Sequence, residues 1–406
     1  MAVLALVAGT AFAQPSMGGQ LMIGANLLEG NNAEDSDITM GGIGFHEAKL
    51  NAVFGDSKGG GKFVMVTSNP NGTAYNHGIG SQVDGKAINL QTWGFLYWRP
   101  VAQFRMQIGV NADGDFGAAQ ISGWGFTGEA KNSVAAMNEY EEWEKVWWPL
   151  WVWQSGGRQG NAFYPGTGDL ANVNFQFFPV DGLIATLVIP INGGQELDLQ
   201  TQISDFQFNA RYTIEEAGIL NVSFIGRGGL GKDMDKAASA GDIYASFFLN
   251  AIQGMGAELG LTYNIPYKDA SDVEHGGYMG VGAGFRLDNG GPFTFKLRAN
   301  ATLGGKVADK DRTTLIYANI LPCYKINNNV WAFFYAGVGV ETAWADYDGS
   351  RIGWFVNPYI WVRAAEGLRF WTGLQVYQDG RRDGQFGESA DSPLSWRVPF
   401  GFNFYF

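Results

Sequence analysis

The chain has 406 residues, of which 46% are hydrophobic and 16% charged, against about 25% charged residues in ordinary globular proteins. Its formal net charge of −12 at pH 7 argues against a nucleic-acid partner and against an anionic surface. No run of about 18 apolar residues occurs, which excludes a helical membrane span. Glycine, at 59 residues, has about twice its usual share. A closed β-barrel is therefore the remaining way for this chain to cross a membrane.

The first residues predict a secretory signal peptide over residues 1–13. Residues 3–7 are apolar, and residues 11–13, Ala-Phe-Ala, match the small-x-small pattern of a cleavage site before Gln14. A basic segment ahead of the apolar run is missing, which leaves open a true start further upstream or a wrongly assigned one. A short buried N-terminal strand is the alternative to a signal peptide. Residues 14–406 are predicted to form a single domain, since no linker or low-complexity tract interrupts them.

From about residue 20 onward the chain repeats one unit, an alternating segment followed by a connector. The connectors are alternately short and long, and the short ones contain the Gly, Asn and Asp that tight hairpins need. Each segment is near the ~9–11 residues that a tilted strand needs to cross a bilayer. The predicted strands are 19–27, 43–54, 61–69, 87–98, 102–112, 170–178, 183–191, 202–213, 218–227, 241–250, 255–265, 276–287, 292–304, 313–325, 330–343, 351–363, 367–378 and 395–406. This rhythm predicts an all-β fold, a closed antiparallel transmembrane β-barrel of 16–18 strands with both termini on the short-turn rim.

The longest connector, residues 113–168, combines acidic and aromatic residues. Its acids include Glu139, Glu141, Glu142 and Glu144, and its tryptophans include Trp147, Trp148, Trp151 and Trp153. This arrangement resembles that of general porins. The resemblance implies that 113–168 is the third extracellular loop, folded into the lumen with its acids facing a basic wall. The tryptophans have two further interpretations: a surface for sugar rings, as in sugar-specific porins, or packing within the loop and at the membrane interface.

Charged residues of one sign recur on one parity of the predicted strands. In 292–304, Phe293 and Leu297 share one parity, whereas Lys296 and Arg298 share the other, so the two faces of the strand differ. Buried charge is costly, so a basic inner face predicts a hydrated lumen. A plugged barrel, with the basic residues paired to loop acids, is the alternative. The predicted lumen wall comprises Lys49, Arg105, Arg211, Arg286, Lys296, Arg298, Arg369 and Arg397, with Glu47, Asp205 and Glu258 as the acids on the same face.

The last twelve residues, 395–406, alternate most regularly. One parity carries only apolar side chains, Trp396, Val398, Phe400, Phe402, Phe404 and Phe406, and the other carries polar ones and Arg397. The segment resembles the C-terminal signature of bacterial outer-membrane barrel proteins, which closes on a terminal Phe. The resemblance implies an exported protein of the bacterial outer membrane. It also implies that Phe402, Phe404 and Phe406 form the signal read by the barrel-assembly machinery.

The residues suited to catalysis are few. Three histidines and one cysteine are scattered, and no metal-ligand spacing or nucleophile motif is present, so we expect no enzyme, no metal and no cofactor. The leading hypothesis is a channel for passive diffusion of small hydrophilic solutes. The alternatives are a transporter of apolar molecules, resembling the long-chain fatty-acid family, and a structural or adhesive barrel that acts through its outer loops. The expected partners are membrane lipid, the assembly machinery and small solutes, and a homotrimer is left open.

Overall fold

The structure is a computed structural model. It describes residues 16–32, 38, 44–68, 79–83, 86–110, 171–190, 206–226, 241–249, 251–269, 271–307, 310–311, 314–341, 351–378 and 394–406. Its strands are β1 (Ser16–Asn31), β2 (Gly44–Gly55), β3 (Gly59–Ser68), β4 (Ile79–Val83), β5 (Lys86–Val101), β6 (Phe104–Val110), β7 (Ala171–Phe177), β8 (Leu183–Pro190), β9 (Gln207–Ile214), β10 (Gly218–Gly226), β11 (Gly241–Leu249), β12 (Met255–Ile265), β13 (Tyr267–Lys268), β14 (Glu274–His275), β15 (Met279–Leu287), β16 (Phe293–Leu303), β17 (Lys306–Val307), β18 (Lys310–Asp311), β19 (Leu315–Asn327), β20 (Val330–Glu341), β21 (Arg351–Ala365), β22 (Leu368–Gly373), β23 (Gln375–Gln378) and β24 (Leu394–Tyr405). Within these ranges, no helix has the length and apolar character needed to cross a membrane.

The main sheet is a closed ring of antiparallel strands. It contains twenty strands, but two of them add no position to the ring. β4 pairs with the first residues of β5 and only lengthens the β5–β6 hairpin, and β22 and β23 both lie between β21 and β24. Eighteen strands of the described chain therefore go round the ring. β1 pairs with β2 on one side and with β24 on the other, which closes it. The predicted closed antiparallel barrel of 16–18 strands is confirmed.

The two rims of the barrel differ. Tight turns join β2 to β3, β5 to β6, β7 to β8, β9 to β10, β11 to β12, β15 to β16, β19 to β20, and β21 to β22. The other rim carries the longer connectors, and two of these hold small hairpins, β13–β14 and β17–β18, where the sequence predicted only loops. The connector between the predicted strands 87–98 and 102–112 falls later in the chain than predicted, because β5 continues to Val101 and the turn lies at Ala102 and Gln103. Arg99 stabilises this arrangement by donating to the Ala102 carbonyl oxygen across 2.6 Å.

The barrel reverses the burial pattern of a soluble protein. On β12, Leu259 is 65% exposed on the outer face, whereas Thr262 on the inward face is 1% exposed. The same alternation runs along β9, where Phe208 is exposed and Asn209 is buried. Water would penalise such a large exposed apolar exterior, and lipid would not. The exterior therefore fits the hydrocarbon core of a membrane.

The seam that closes the ring joins the two ends of the chain. Leu21 lies opposite Phe404 and Ile23 lies opposite Phe402. At the end of the seam, the Gly19 amide donates to the Phe406 carbonyl oxygen across 2.8 Å, and the Phe406 amide donates back across 3.1 Å. The pairing of the terminal strand β24 with the first strand β1 therefore closes the barrel.

Candidate functional site

Uncharged hydrogen-bonding side chains line the inward face of β6–β10, which we call the amide arc. Asn174 Nδ2 donates to Gln107 Oε1 across 3.1 Å, and Asn209 Nδ2 donates to Ser223 Oγ across 2.7 Å. The buried members of the arc are Gln107, Asn174, Gln176, Thr186, Gln207, Asn209, Asn221 and Ser223. Each amide offers both donors and acceptors, so this wall can hydrogen-bond water or polar solutes of any charge.

Three predicted wall arginines contact amides or aromatic rings on the inward face. Arg105 Nε donates to Gln176 Oε1 across 2.5 Å, and Arg397 Nε donates to Gln375 Oε1. The Arg369 guanidinium lies 4.4 Å from the centre of the Tyr405 ring and 5.3 Å from that of Trp361. Amide oxygens and ring faces attract a guanidinium without neutralising its charge. These contacts hold the three guanidinium groups against the inner wall.

The remaining wall residues lie on β2, β9, β15 and β16. Arg286 and Lys296 are directly opposite each other in the β15–β16 register, which brings two cations together, and Lys296 is 1% exposed. Arg211 is buried on β9, apart from this pair. Lys49 and Arg298 belong to β2 and β16, but their side chains lie outside the described part of the structure.

Two acids share the inward face with these cations. Glu258, predicted from parity, is buried on β12. Asp242 is also buried, at the start of β11, where its carboxylate accepts from Asn264 Nδ2 across 2.6 Å and from the Tyr244 hydroxyl across 3.4 Å. Sequence reasoning missed Asp242 because it lies beside a long connector, where strand parity is hard to assign. The side chain of Glu47, and Asp205 altogether, lie outside the described part.

Aromatic side chains line the inward face of β20–β22, which sequence reasoning also missed. We call this the aromatic arc; it consists of the buried residues Phe333, Tyr335, Phe355, Tyr359, Trp361 and Trp371. Glycines beside three of these rings make room for them. A Cβ added to Gly337 would lie 2.7 Å from the Phe355 ring, and one added to Gly401 would lie 2.6 Å from Trp371. In the predicted strands 330–343 and 351–363, both parities are largely apolar. Alternation alone therefore could not tell which of the aromatic residues face inward.

The β13–β14 hairpin is held in place by hydrogen bonds and ion pairs of its own residues. The Asp269 carboxylate accepts from the amides of Val273 and Ser271 across 2.9 and 2.8 Å and lies 3.2 Å from His275 Nε2. The Val273 amide, followed by the His275 ring, holds the pKa of Asp269 below its ordinary value. Lys306 Nζ lies 3.0 Å from the Glu274 carboxylate, which ties this hairpin to the next connector.

The predicted loop residues Glu139, Glu141, Glu142, Glu144, Trp147, Trp148, Trp151 and Trp153 all fall in residues 111–170, outside the described part of the structure. The strands on either side of them are described, and Val110 at the end of β6 lies directly opposite Ala171 at the start of β7. The connector therefore leaves and re-enters the barrel at one point of the rim. The position of its acids and tryptophans stays a prediction.

Solved structures resemble this barrel over nearly its whole length. Pseudomonas aeruginosa OpdK, solved with vanillate, matches 96% of this chain and 98% of its own, with a TM-score of 0.54 and 11% identity. The outer membrane channel DcaP of Acinetobacter baumannii matches 98% of this chain and 99% of its own, at 0.52 and 10%. OccAB3 of Acinetobacter baumannii matches 96% and 100%, at 0.51 and 9%. The fold is that of an outer-membrane porin.

At these identities the likeness establishes the porin fold alone. No protein-family model matches the chain, and no curated protein matches it. The porin fold and the exposed apolar exterior both place this protein in the bacterial outer membrane. Which solutes cross the barrel depends on the residues of the barrel's inward face.

Proposed function

We propose that this porin-fold barrel is a channel for passive diffusion of small hydrophilic solutes across the outer membrane. The observation that carries the proposal is the inward face itself, where buried amides and charged groups replace the apolar core of a soluble protein. Polar groups at such depth need water, solute or protein partners. A hydrated lumen supplies the first two, and no covalent chemistry is then required.

The charge of the wall supports a role in selectivity. Six of the cations predicted for the lumen wall have described side chains: Arg105, Arg211, Arg286, Lys296, Arg369 and Arg397. Asp242 and Glu258 are the buried acids of the described inward face. Rings of cationic side chains favour anions in a pore. We propose that the acids of connector 113–168 oppose this wall from inside the lumen, so that neither ion sign is strongly favoured and dipolar solutes are oriented.

Solute flux into liposomes tests both parts of the proposal. Wild-type protein should admit small sugars and small anions in a swelling assay. A variant with E139Q, E141Q, E142Q and E144Q should admit anions faster, relative to a neutral solute of similar size. A matched control removes acids at the rim hairpin, with D272N and E274Q, and should leave the ratio unchanged. Equal ratios in wild type and the loop variant would place the connector's acids outside the lumen, and absence of any flux would reject the channel.

A second solute class is supported by the aromatic arc. Its buried rings lie beside Arg369, which already contacts Trp361 and Tyr405 through its guanidinium. A solute with a flat apolar ring and a carboxylate would match this combination of ring faces and cation. OpdK, similar in fold, was solved with vanillate, an aromatic carboxylate. Vanillate should therefore interrupt single-channel current more often than acetate does, and equal interruption would remove this solute class.

A further inference from the structure

Prolines interrupt the strand ladder in the section of wall from β19 to β24. Pro322 lies on β19, Pro358 on β21 and Pro399 on β24, and we call these three residues the proline row. Proline has no backbone N–H, so within sheets it is normally confined to edge strands and bulges. The main sheet is closed by the pairing of β1 with β24, so these prolines lie inside the ladder and not at an edge.

Two of the prolines border the point where β22 ends and β23 begins. The Leu374 amide donates to the Pro358 carbonyl oxygen across 3.0 Å, but Pro358 has no N–H with which to return the bond. On the other side of the same segment, the register with β24 places Pro399 opposite Gly373. The pairing with β21 and with β24 is therefore interrupted at the same height, although the register is the same before and after the gap.

The interruption extends to the strands on either side. Phe334 on β20 lies opposite Pro358, and the β19–β20 register places it opposite Pro322, where the pairing of these two strands also has a gap. On the far side of β24, β1 has a register shift next to its pairing with Pro399. The proline row thus weakens several neighbouring strand pairs at nearly one height of the barrel.

The proline row lowers the cost of separating these strands within a membrane. Strand separation normally exposes backbone N–H and C=O groups, and hydrocarbon offers them no hydrogen-bond partner. Separation at Pro358 and Pro399 exposes no proline N–H, and the ladder bond that such an N–H would have made is already missing. Fewer bonds therefore have to break here than in a continuous pair such as β10–β11.

Both faces of the wall are apolar beside the proline row. On the inner side, the buried rings Phe333 and Tyr359 of the aromatic arc lie opposite each other on β20 and β21. On the outer side, Phe334 and Leu374 are 42% and 41% exposed, towards lipid. An apolar molecule at this point would meet ring faces on one side and hydrocarbon on the other.

We propose that the section of wall around the proline row is a lateral portal, where strands separate and an apolar ring compound passes between the lumen and the lipid. This function goes beyond the diffusion of hydrophilic solutes, because it uses the wall and not the length of the lumen. The competing interpretation is that the prolines only shape the wall. The two differ in whether joining the strands covalently stops the passage of an apolar compound.

A disulfide across the gap tests the portal, because the single cysteine of the chain can be replaced by C323A. In that background, L374C and V398C lie opposite each other, by the register of β24 on both sides of the gap. The matched control, V222C with A245C, joins β10 to β11, where the pairing is continuous. The probe is N-phenyl-1-naphthylamine, an apolar ring dye that fluoresces in lipid, added to intact cells that carry the barrel in their outer membrane.

We expect cells with the wild-type barrel to take up the dye faster than cells with an empty vector. Oxidation of the L374C/V398C variant should abolish this gain, and a reductant should restore it. The V222C/A245C control should keep the gain in both states. Liposome swelling by small sugars should be the same for all variants, which separates the portal from the channel.

Other results overturn the portal in different ways. Dye uptake that is unchanged by the L374C/V398C disulfide would mean that the prolines only shape the wall. A wild-type barrel without any gain in dye uptake would also reject the portal, and sugar-driven swelling would then leave the channel standing. If L374C/V398C does not fold, as judged by heat-modifiable mobility on gels, P358A with P399A restores two N–H donors and should slow dye uptake. Unchanged uptake in that variant would reject the portal as well.

Discussion

Single glycines decide how aromatic rings pack on the inner wall. Because a Cβ at Gly401 would lie 2.6 Å from the Trp371 ring, G401A forces the ring to move. Overpacking of this kind typically lowers stability by about 1–3 kcal/mol. We expect that loss in the free energy of unfolding, measured by urea titration of protein in liposomes. In the control G18A the new Cβ would lie 3.4 Å from a carbonyl oxygen, an ordinary contact, and equal losses in both variants would contradict this packing role.

The charge of Lys296 on the inner wall is expected to affect the ion selectivity of the channel. Its side chain is almost fully buried on the inward face, so its charge is poorly screened by solvent. K296Q removes that charge, and we expect the reversal potential in a salt gradient to shift towards cation selectivity. The control K268Q removes a lysine at the rim, where the side chain is 59% exposed, and should leave the reversal potential unchanged. An unchanged potential in K296Q would show that this lysine does not face the permeating ions.

Asp56 makes the stability of the tight turn between β2 and β3 depend on pH. Its carboxylate accepts from the amides of Lys58 and Gly59 across 2.7 and 3.0 Å, and these bonds hold its pKa below the ordinary value of 3.8. A lowered pKa in the folded state means that the stabilisation is present above the ordinary pKa and is lost as pH falls through the folded one. D56A should therefore be less stable than wild type at neutral pH, and the difference should shrink below about pH 4. Urea unfolding at both pH values measures this, and a pH-independent difference would contradict it.

At the scale of elements, the terminal strand carries the sharpest prediction. Phe406 is 66% exposed on the outer face, and its main chain is bonded to Gly19 at the seam. Deleting Phe406 removes these last bonds and the terminal aromatic of the predicted assembly signal. We expect less barrel in the outer-membrane fraction with export across the inner membrane intact, measured by cell fractionation. The outward-facing variant F208A should insert normally, and normal insertion of the Phe406 deletion would argue against the assembly signal.

Crossing strands were predictable because each repeats a two-residue period over enough residues to be recognised. The predicted segments 43–54 and 241–250, for example, correspond to β2 and β11. The hairpin β13–β14 was not predictable, since two-residue strands show no period. It is held by the Asp269 carboxylate and by backbone pairing of Gly276 with Lys306, a contact between two connectors. Such contacts depend on the closed ring, which sets connectors side by side.

On the scale of the whole molecule, parity predicted which side chains point inward but not how the inner wall is divided. Amides of β6–β10 form one arc, and aromatic rings of β20–β22 form another. This division depends on strand order round the ring and on which residues meet across each register. Lys296 and Arg286 could both be placed on the wall from sequence, whereas their position directly opposite each other emerges only from the β15–β16 pairing.

The central claim is that this inside-out barrel encloses a path for water and small solutes. Single-channel recording in planar bilayers tests it most directly, using protein whose folded state is verified by heat-modifiable mobility and using heat-denatured protein as the control. We predict discrete conductance steps from the folded protein and none from the denatured protein. Folded protein that inserts into the bilayer and passes no current would contradict the channel account.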